Sequence, residues 1–188
     1  MSRRLAALAL ALASTAAPAI AAPPAWAVDK AASHLTFSSS VQGAPFSGQF
    51  RLWDAAIRFD PKDLAHSSVV ATIDMASAVS GDKDRDISMP TEDWFWTSRF
   101  PRATFAAAAF RATGPGRYEA VGTLSMRGVS KPLTLPFSLA ITGASAKMSA
   151  RVGINRLAFG VGQGEWQTTE TVPAAVVVSV DLTAHRAP

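Results

Sequence analysis

The chain has 188 residues, 48% hydrophobic and 17% charged, with no cysteine. One ordinary domain able to bury a sizeable core fits this length, and the missing cysteines exclude a disulfide framework, a zinc ribbon and a thiol nucleophile. The net charge of +4 includes Arg3 and Arg4 of an export leader; without them 16 basic residues face 14 acidic ones, and +2 with no basic run excludes a nucleic-acid partner.

Met1 to Ala21 reads as a signal peptide. Arg3 and Arg4 precede the apolar run Leu5–Leu12, and Ala19-Ile20-Ala21 is a small-x-small cleavage site. Cleavage near Ala21 implies a periplasmic protein. The second segment, 22–188, is the mature domain, and Ala22–Ala27 reads as its Pro/Ala-rich lead-in.

From Ser33 onward apolar residues recur at every second position, the mark of strands with one buried face. The runs begin with Leu35, Phe37 and Val41, then Phe46, Gly48, Phe50 and Leu52. The phase then slips before Ile57 and Phe59, which predicts a bulge or bend near Asp54–Ala56. Further runs are Val69–Met75, Ala103–Ala109, Ala120–Met126, Leu133–Ile141, Ala146–Ile154 and Val176–Leu182. Gly114-Pro115-Gly116, Arg127-Gly128 and Gly143 supply tight links, so neighbouring strands are antiparallel. The expected fold is all-β: eight antiparallel strands closed into a barrel, which hides the apolar face and removes the edges.

A barrel of that size is either filled by side chains or hollow enough for one small ligand. Small residues at inward positions (Gly48, Ala71, Ala107, Gly122, Ala146, Ala150) make it hollow if they cluster, and filled if large partners face them. Periodicity alone leaves both open.

Ser80–Pro101 breaks the alternation. Its polar start and its aromatics Trp94, Phe95, Trp96 and Phe100 read as a long loop with short helical turns closing one barrel end. It can serve as plug or lid, with a helix start expected at Thr91-Glu92-Asp93.

No catalytic set emerges. Asp82, Asp84, Asp86 and Asp93 have calcium-loop spacing, but Ile87 stands where the sharp turn requires Gly. Ser80-Gly81-Asp82-Lys83 has S-x-x-K spacing without its companion elements. His34, His66 and His185 lie far apart. The chain reads as no enzyme, with neither metal nor cofactor.

Three segments together resemble the YceI-like proteins. Arg85-Asp86, then Trp94-Phe95, then Phe100-Pro101-Arg102-Ala103-Thr104-Phe105 resemble the family's R-D, [FW]-F and [YF]-P-x-[AI]-T-F elements. Gly122 to Leu133 is similar to its G-x-L hairpin, and Arg156-Leu157-Ala158-Phe159-Gly160 to its R-x-D-F-G, with Ala158 in place of Asp. Val41 stands where many members carry His.

The resemblance implies a hollow, lipocalin-like periplasmic barrel that binds a long isoprenoid chain. The expected ligand is an isoprenoid lipid or quinone, its tail among Phe37, Phe50, Phe105, Leu124, Leu135, Phe137 and Phe159. Its head would lie near Arg85, Trp94 and Phe95 at the mouth. The run Phe159–Trp166 is similar to a subgroup associated with membrane b-type cytochromes. That association implies an alternative role, docking on such a cytochrome or other envelope partner, with any lipid incidental. An exposed apolar patch around Trp94, Trp96 or Trp166 would favour it.

Overall fold

The computed structural model describes residues 22–187. The leader expected over 1–21 lies outside them. In chain order the strands are β1 (Ala25–Val28), β2 (His34–Val41), β3 (Ala44–Phe50), β4 (Trp53–Arg58), β5 (Ser68–Asp74), β6 (Ala78–Val79), β7 (Arg102–Gly114), β8 (Arg117–Met126), β9 (Val129–Thr142), β10 (Ser145–Asn155) and β11 (Ala175–Arg186). One short helix, α1 (Lys83–Ser88), sits between β6 and β7.

Every pairing is antiparallel, and the order β1-β4-β5-β7-β8-β9-β10-β11 closes where β11 returns to β1. β2, β3 and β6 continue β1, β4 and β5 past local breaks. β11 pairs with β1 near Ala184 and with β2 near Val178, while β4 faces β1 and β3 faces β2. Counting each broken strand once gives the expected 8-stranded barrel.

The breaks have local causes, and serines repair them. Asp29 Oδ1 accepts the Ala31 and Ala32 N–H groups, turning the chain out between β1 and β2. Ser33 Oγ then takes the Thr183 N–H that a continuous strand would have bonded. The phase slip falls at Arg51-Leu52, not at Asp54–Ala56, because the facing strand breaks there too. Leu52 N–H donates to Ser77 Oγ, Arg51 N–H to the Ser77 carbonyl, and Asp74 N–H to the Leu52 carbonyl. Two neighbouring interruptions thus satisfy each other's backbone groups, as buried backbone must.

Ala22–Ala27 is more than a lead-in, since it contains most of β1. Trp26 is buried, and its Nε1 donates to the Phe59 carbonyl at 2.9 Å. A four-residue strand with one apolar anchor is too short for periodicity to register.

Of the small inward residues, Ala71 and Ala146 line the hollow, and the two glycines are covered. The Phe37 ring lies where a Cβ on Gly48 would sit, and Gly122 is pressed against the Ala106 carbonyl on β7. Gly122→Val is therefore expected to destabilise by about 1–3 kcal/mol. Thermal unfolding followed by circular dichroism should show the midpoint fall by several degrees.

Candidate functional site: an apolar barrel interior

The inward residues of β9 (Leu133, Leu135, Phe137, Leu139, Ile141) alternate with exposed ones and each keeps partial exposure, Phe137 even though it is paired with both β8 and β10. Val178 and Val180 on β11, paired with both β10 and β2, also keep partial exposure, as does Val176. Inward side chains of a filled core would lose that exposure. Here they border a cavity of about 250 Å³, larger than the roughly 150 Å³ apolar void that can hold benzene.

The wall is built in levels set by strand register. Phe37, Val178 and Val152 lie side by side on β2, β11 and β10. Ala71, Phe105 and Leu124 lie side by side on β5, β7 and β8. Along β11 the wall runs from Val176 to Ala184, roughly 26 Å of strand at about 3.3 Å per residue. Its surface is apolar throughout. Water inside would find no polar partners, whereas a hydrocarbon chain would find dispersion contacts on all sides.

Aromatic rings close the end away from α1. Phe59 meets Phe110, Tyr118 and Phe137 edge-on, with centroids 5.4, 5.4 and 5.9 Å away, and Tyr118 stacks on Phe137 at 5.5 Å.

The segment 80–101 closes the other end. Helix formation occurs at Lys83–Ser88, not at Thr91. Asp82 caps it by accepting the Arg85 N–H, and Pro90 follows closely, so residues 91–100 form turns. Two carboxylates of the calcium-like spacing, Asp82 and Asp86, have other partners. Asp86 accepts from the Ser80 N–H and hydroxyl, and the hydroxyl bond in particular holds its carboxyl below the usual aspartate range.

Three successive carbonyls anchor the aromatic part of the lid. Arg127, from the β8–β9 turn, donates to the carbonyls of Glu92 and Trp94. Between them, the Asp93 carbonyl accepts the N–H groups of Gly162 and Gln163. Trp94 packs on Trp166, with centroids 5.4 Å apart, and Trp96 lies between the guanidinium groups of Arg99 and Arg127 and the Phe100 ring. All three tryptophans are partly buried; the exposed large apolar residues among the described ones are Leu52, Val70, Ile87 and Val121.

Arg156 holds the β10–β11 loop together. It is 3% exposed, with no carboxylate within ion-pair distance among the described residues. Its guanidinium donates instead to the carbonyls of Pro173, Val161, Trp166, Thr168 and Val172. Burial lowers its pKa, but from so high a value that it stays charged. Gly162 is required beside it, since a Cβ there would collide with Nη1.

Of the expected ligand-contacting residues, Phe37, Phe50, Phe95, Phe105, Leu124, Leu135 and Phe137 line the cavity. Three lie off the wall. Phe159 is packed in the core with Val161, Trp94 faces Trp166 and Arg156, and Arg85 lies outside over the Phe46 ring. Sequence reasoning missed Trp26, Trp53 and the valines of β11 as wall residues. The valine run was legible as a strand, but nothing in it distinguishes a cavity wall from a packed one.

A model of the YceI-like domain matches residues 26–184. A UPF0312 protein of Vibrio cholerae is 29% identical over 113 residues, which cover 58% of this chain and 60% of the relative's length. The crystal structure of Burkholderia cenocepacia BcnA superposes with a TM-score of 0.80 at 34% identity, covering 83% of this chain and 98% of that one. A polyisoprenoid binding domain from Saccharophagus degradans, 16% identical, superposes with a TM-score of 0.70 over 87% of this chain and 99% of its own, which shows a common fold. The barrel, the lid and the matched span place the chain in the YceI-like family.

Proposed function

We propose that the protein is an exported, non-enzymatic carrier or store for an amphipathic isoprenoid lipid of the polyprenyl or quinone type. The observation that carries this reading is the elongated cavity with an apolar wall. Such a wall selects a tail by length and shape, and each buried methylene contributes about 0.8 kcal/mol, so a long tail binds tightly without a polar contact. The described polyisoprenoid binding by the Saccharophagus domain of the same fold supports the same ligand class. The polar head group would remain at the lid end, outside the apolar interior. Cytochrome docking calls for an exposed tryptophan surface, and the lid tryptophans are packed against one another and against arginines.

Titration with a short-tailed ubiquinone and, separately, a polyprenyl phosphate tests this. Trp94 and Trp96 lie in the lid and Trp166 packs on Trp94, at the end where the head group would remain, so a bound quinone quenches tryptophan fluorescence; the phosphate is read by its displacement of the quinone. Saturable quenching at about one quinone per chain is expected. Absence of uptake of either lipid would refute the reading.

A further inference from the structure

We propose that the ligand enters sideways, between the upper edge of β3 and α1, and that the stack of Arg85 on Phe46 latches this gate. The inference rests on the lipid-carrier reading and adds the route.

The barrel wall is incomplete beside α1. β3 meets β6 only through Gln49 and Phe50, so Ala44–Gly48 has β2 on one edge and no strand on the other. No ladder joins β6 to β7, and the β5–β7 ladder stops at Asp74 and Arg102. The β9–β10 ladder also stops short, at Phe137 and Ala150, but no α-helix among the described residues is stacked over that seam.

Side chains fill the gap. Met89, 5% exposed, forms a buried cluster with Phe37 and Ala78, against which Phe46, Phe50 and Phe95 pack. The Arg85 guanidinium carbon lies 4.0 Å from the Phe46 ring centroid. Phe46 meets Phe37 edge-on at 6.4 Å, and Phe37 lines the cavity. Arg85, Phe46 and Phe37 therefore lie in series between solvent and interior.

The two halves of the lid are held differently. Glu92–Trp94 is bonded to the β8–β9 turn and to the β10–β11 loop. The hydrogen bonds of residues 80–88 stay within 80–91: Asp82 with Arg85, Asp86 with Ser80, Arg85 with Ser80, Ser88 with Asp84, and Thr91 with Ser88. Gly81, with φ of 78° and no neighbour where its Cβ would be, gives the segment a pivot. Beyond its chain connections, α1 is held to the barrel by the Arg85 stack and by Met89. The opposite end offers no such weak point, since it is closed by interlocked rings and the Trp26–Phe59 hydrogen bond.

A latch and a head-group contact differ in kinetics. A latch raises the barrier in both directions, so its removal speeds entry and exit together. A head-group contact stabilises the bound state, so its removal mainly speeds exit. Stopped-flow tryptophan quenching with decylubiquinone separates the two.

For Arg85→Ala, association and dissociation rates should each rise about tenfold, with Kd within about twofold of wild type. Arg85→Lys keeps the charge but loses the planar stack, and should speed both rates less. Phe46→Leu removes the other half of the stack and should reproduce Arg85→Ala. Unchanged rates in the Arg85 and Phe46 variants would overturn the gate while leaving the carrier reading intact. Weakened affinity at an unchanged association rate would make Arg85 a binding contact and overturn the gate equally. A wild-type protein that takes up no probe would remove the carrier reading and the gate with it.

Discussion

Arg156→Met should destabilise the protein by at least about 3–5 kcal/mol, the range for removing one partner from a buried charged network. The substitution keeps most of the apolar volume and removes the donors. It leaves the carbonyls of Pro173, Val161, Trp166, Thr168 and Val172 facing one another without a hydrogen. Each buried orphan costs about 1–3 kcal/mol, so the loop should open until water reaches them. For a domain of this size the thermal midpoint should fall by roughly 10 °C. Arg156→Lys should recover little, because one ammonium cannot span acceptors arranged around a planar fork. Opening of the loop also frees Trp166 from Trp94, so a red-shifted tryptophan emission and early proteolysis within residues 160–172 should accompany the loss. A midpoint within a degree or two of wild type would show that the guanidinium is not what holds the loop.

Val178→Trp should abolish lipid uptake, weakening the affinity for a quinone by 100-fold or more, while leaving the thermal midpoint unchanged or raised. Val178 lies on the cavity wall, level with Val152 and Phe37, and is only partly buried. In a filled core such an enlargement costs about 1–3 kcal/mol through displaced neighbours. In a hollow barrel the indole occupies space the ligand would use and gains contacts the valine lacks. Thermal unfolding and quinone titration on the same preparation separate the cases. A large drop in midpoint would mean a packed interior.

The eight apolar runs of the sequence correspond to the barrel strands, because a face buried on one side imposes a period of two over many residues. β1 and β6 escaped notice because four and two residues carry too little period. The phase slip was visible, but its position was not, since it depends on the partner strand breaking at Ser77. Hollow and filled interiors share one alternation pattern, and residue size misleads. Ala71 and Ala146 line the cavity, but Gly48, Ala107, Gly122 and Ala150 lie off it, and at Gly48 an aromatic ring covers the gap.

The lid was legible as a segment and not in its details. Asp82 and Thr91 are both acceptable caps locally, and helix position was decided by Pro90 and by anchors from distant loops. Arg85 looked like a head-group residue because it is a cation beside aromatics, yet its chemistry is met by Phe46, Ser80 and Asp82. Arg156 appeared only as a motif letter. Its role depends on carbonyls up to 17 residues away, which no local pattern displays.

Native mass spectrometry of the protein purified from its own cells, followed by organic extraction of what it carries, tests the central claim most directly. The account predicts a bound species whose mass contains repeating isoprene units, released on denaturation at about one per chain. A clean unliganded mass, together with no uptake of added ubiquinone or polyprenyl lipid, would contradict it.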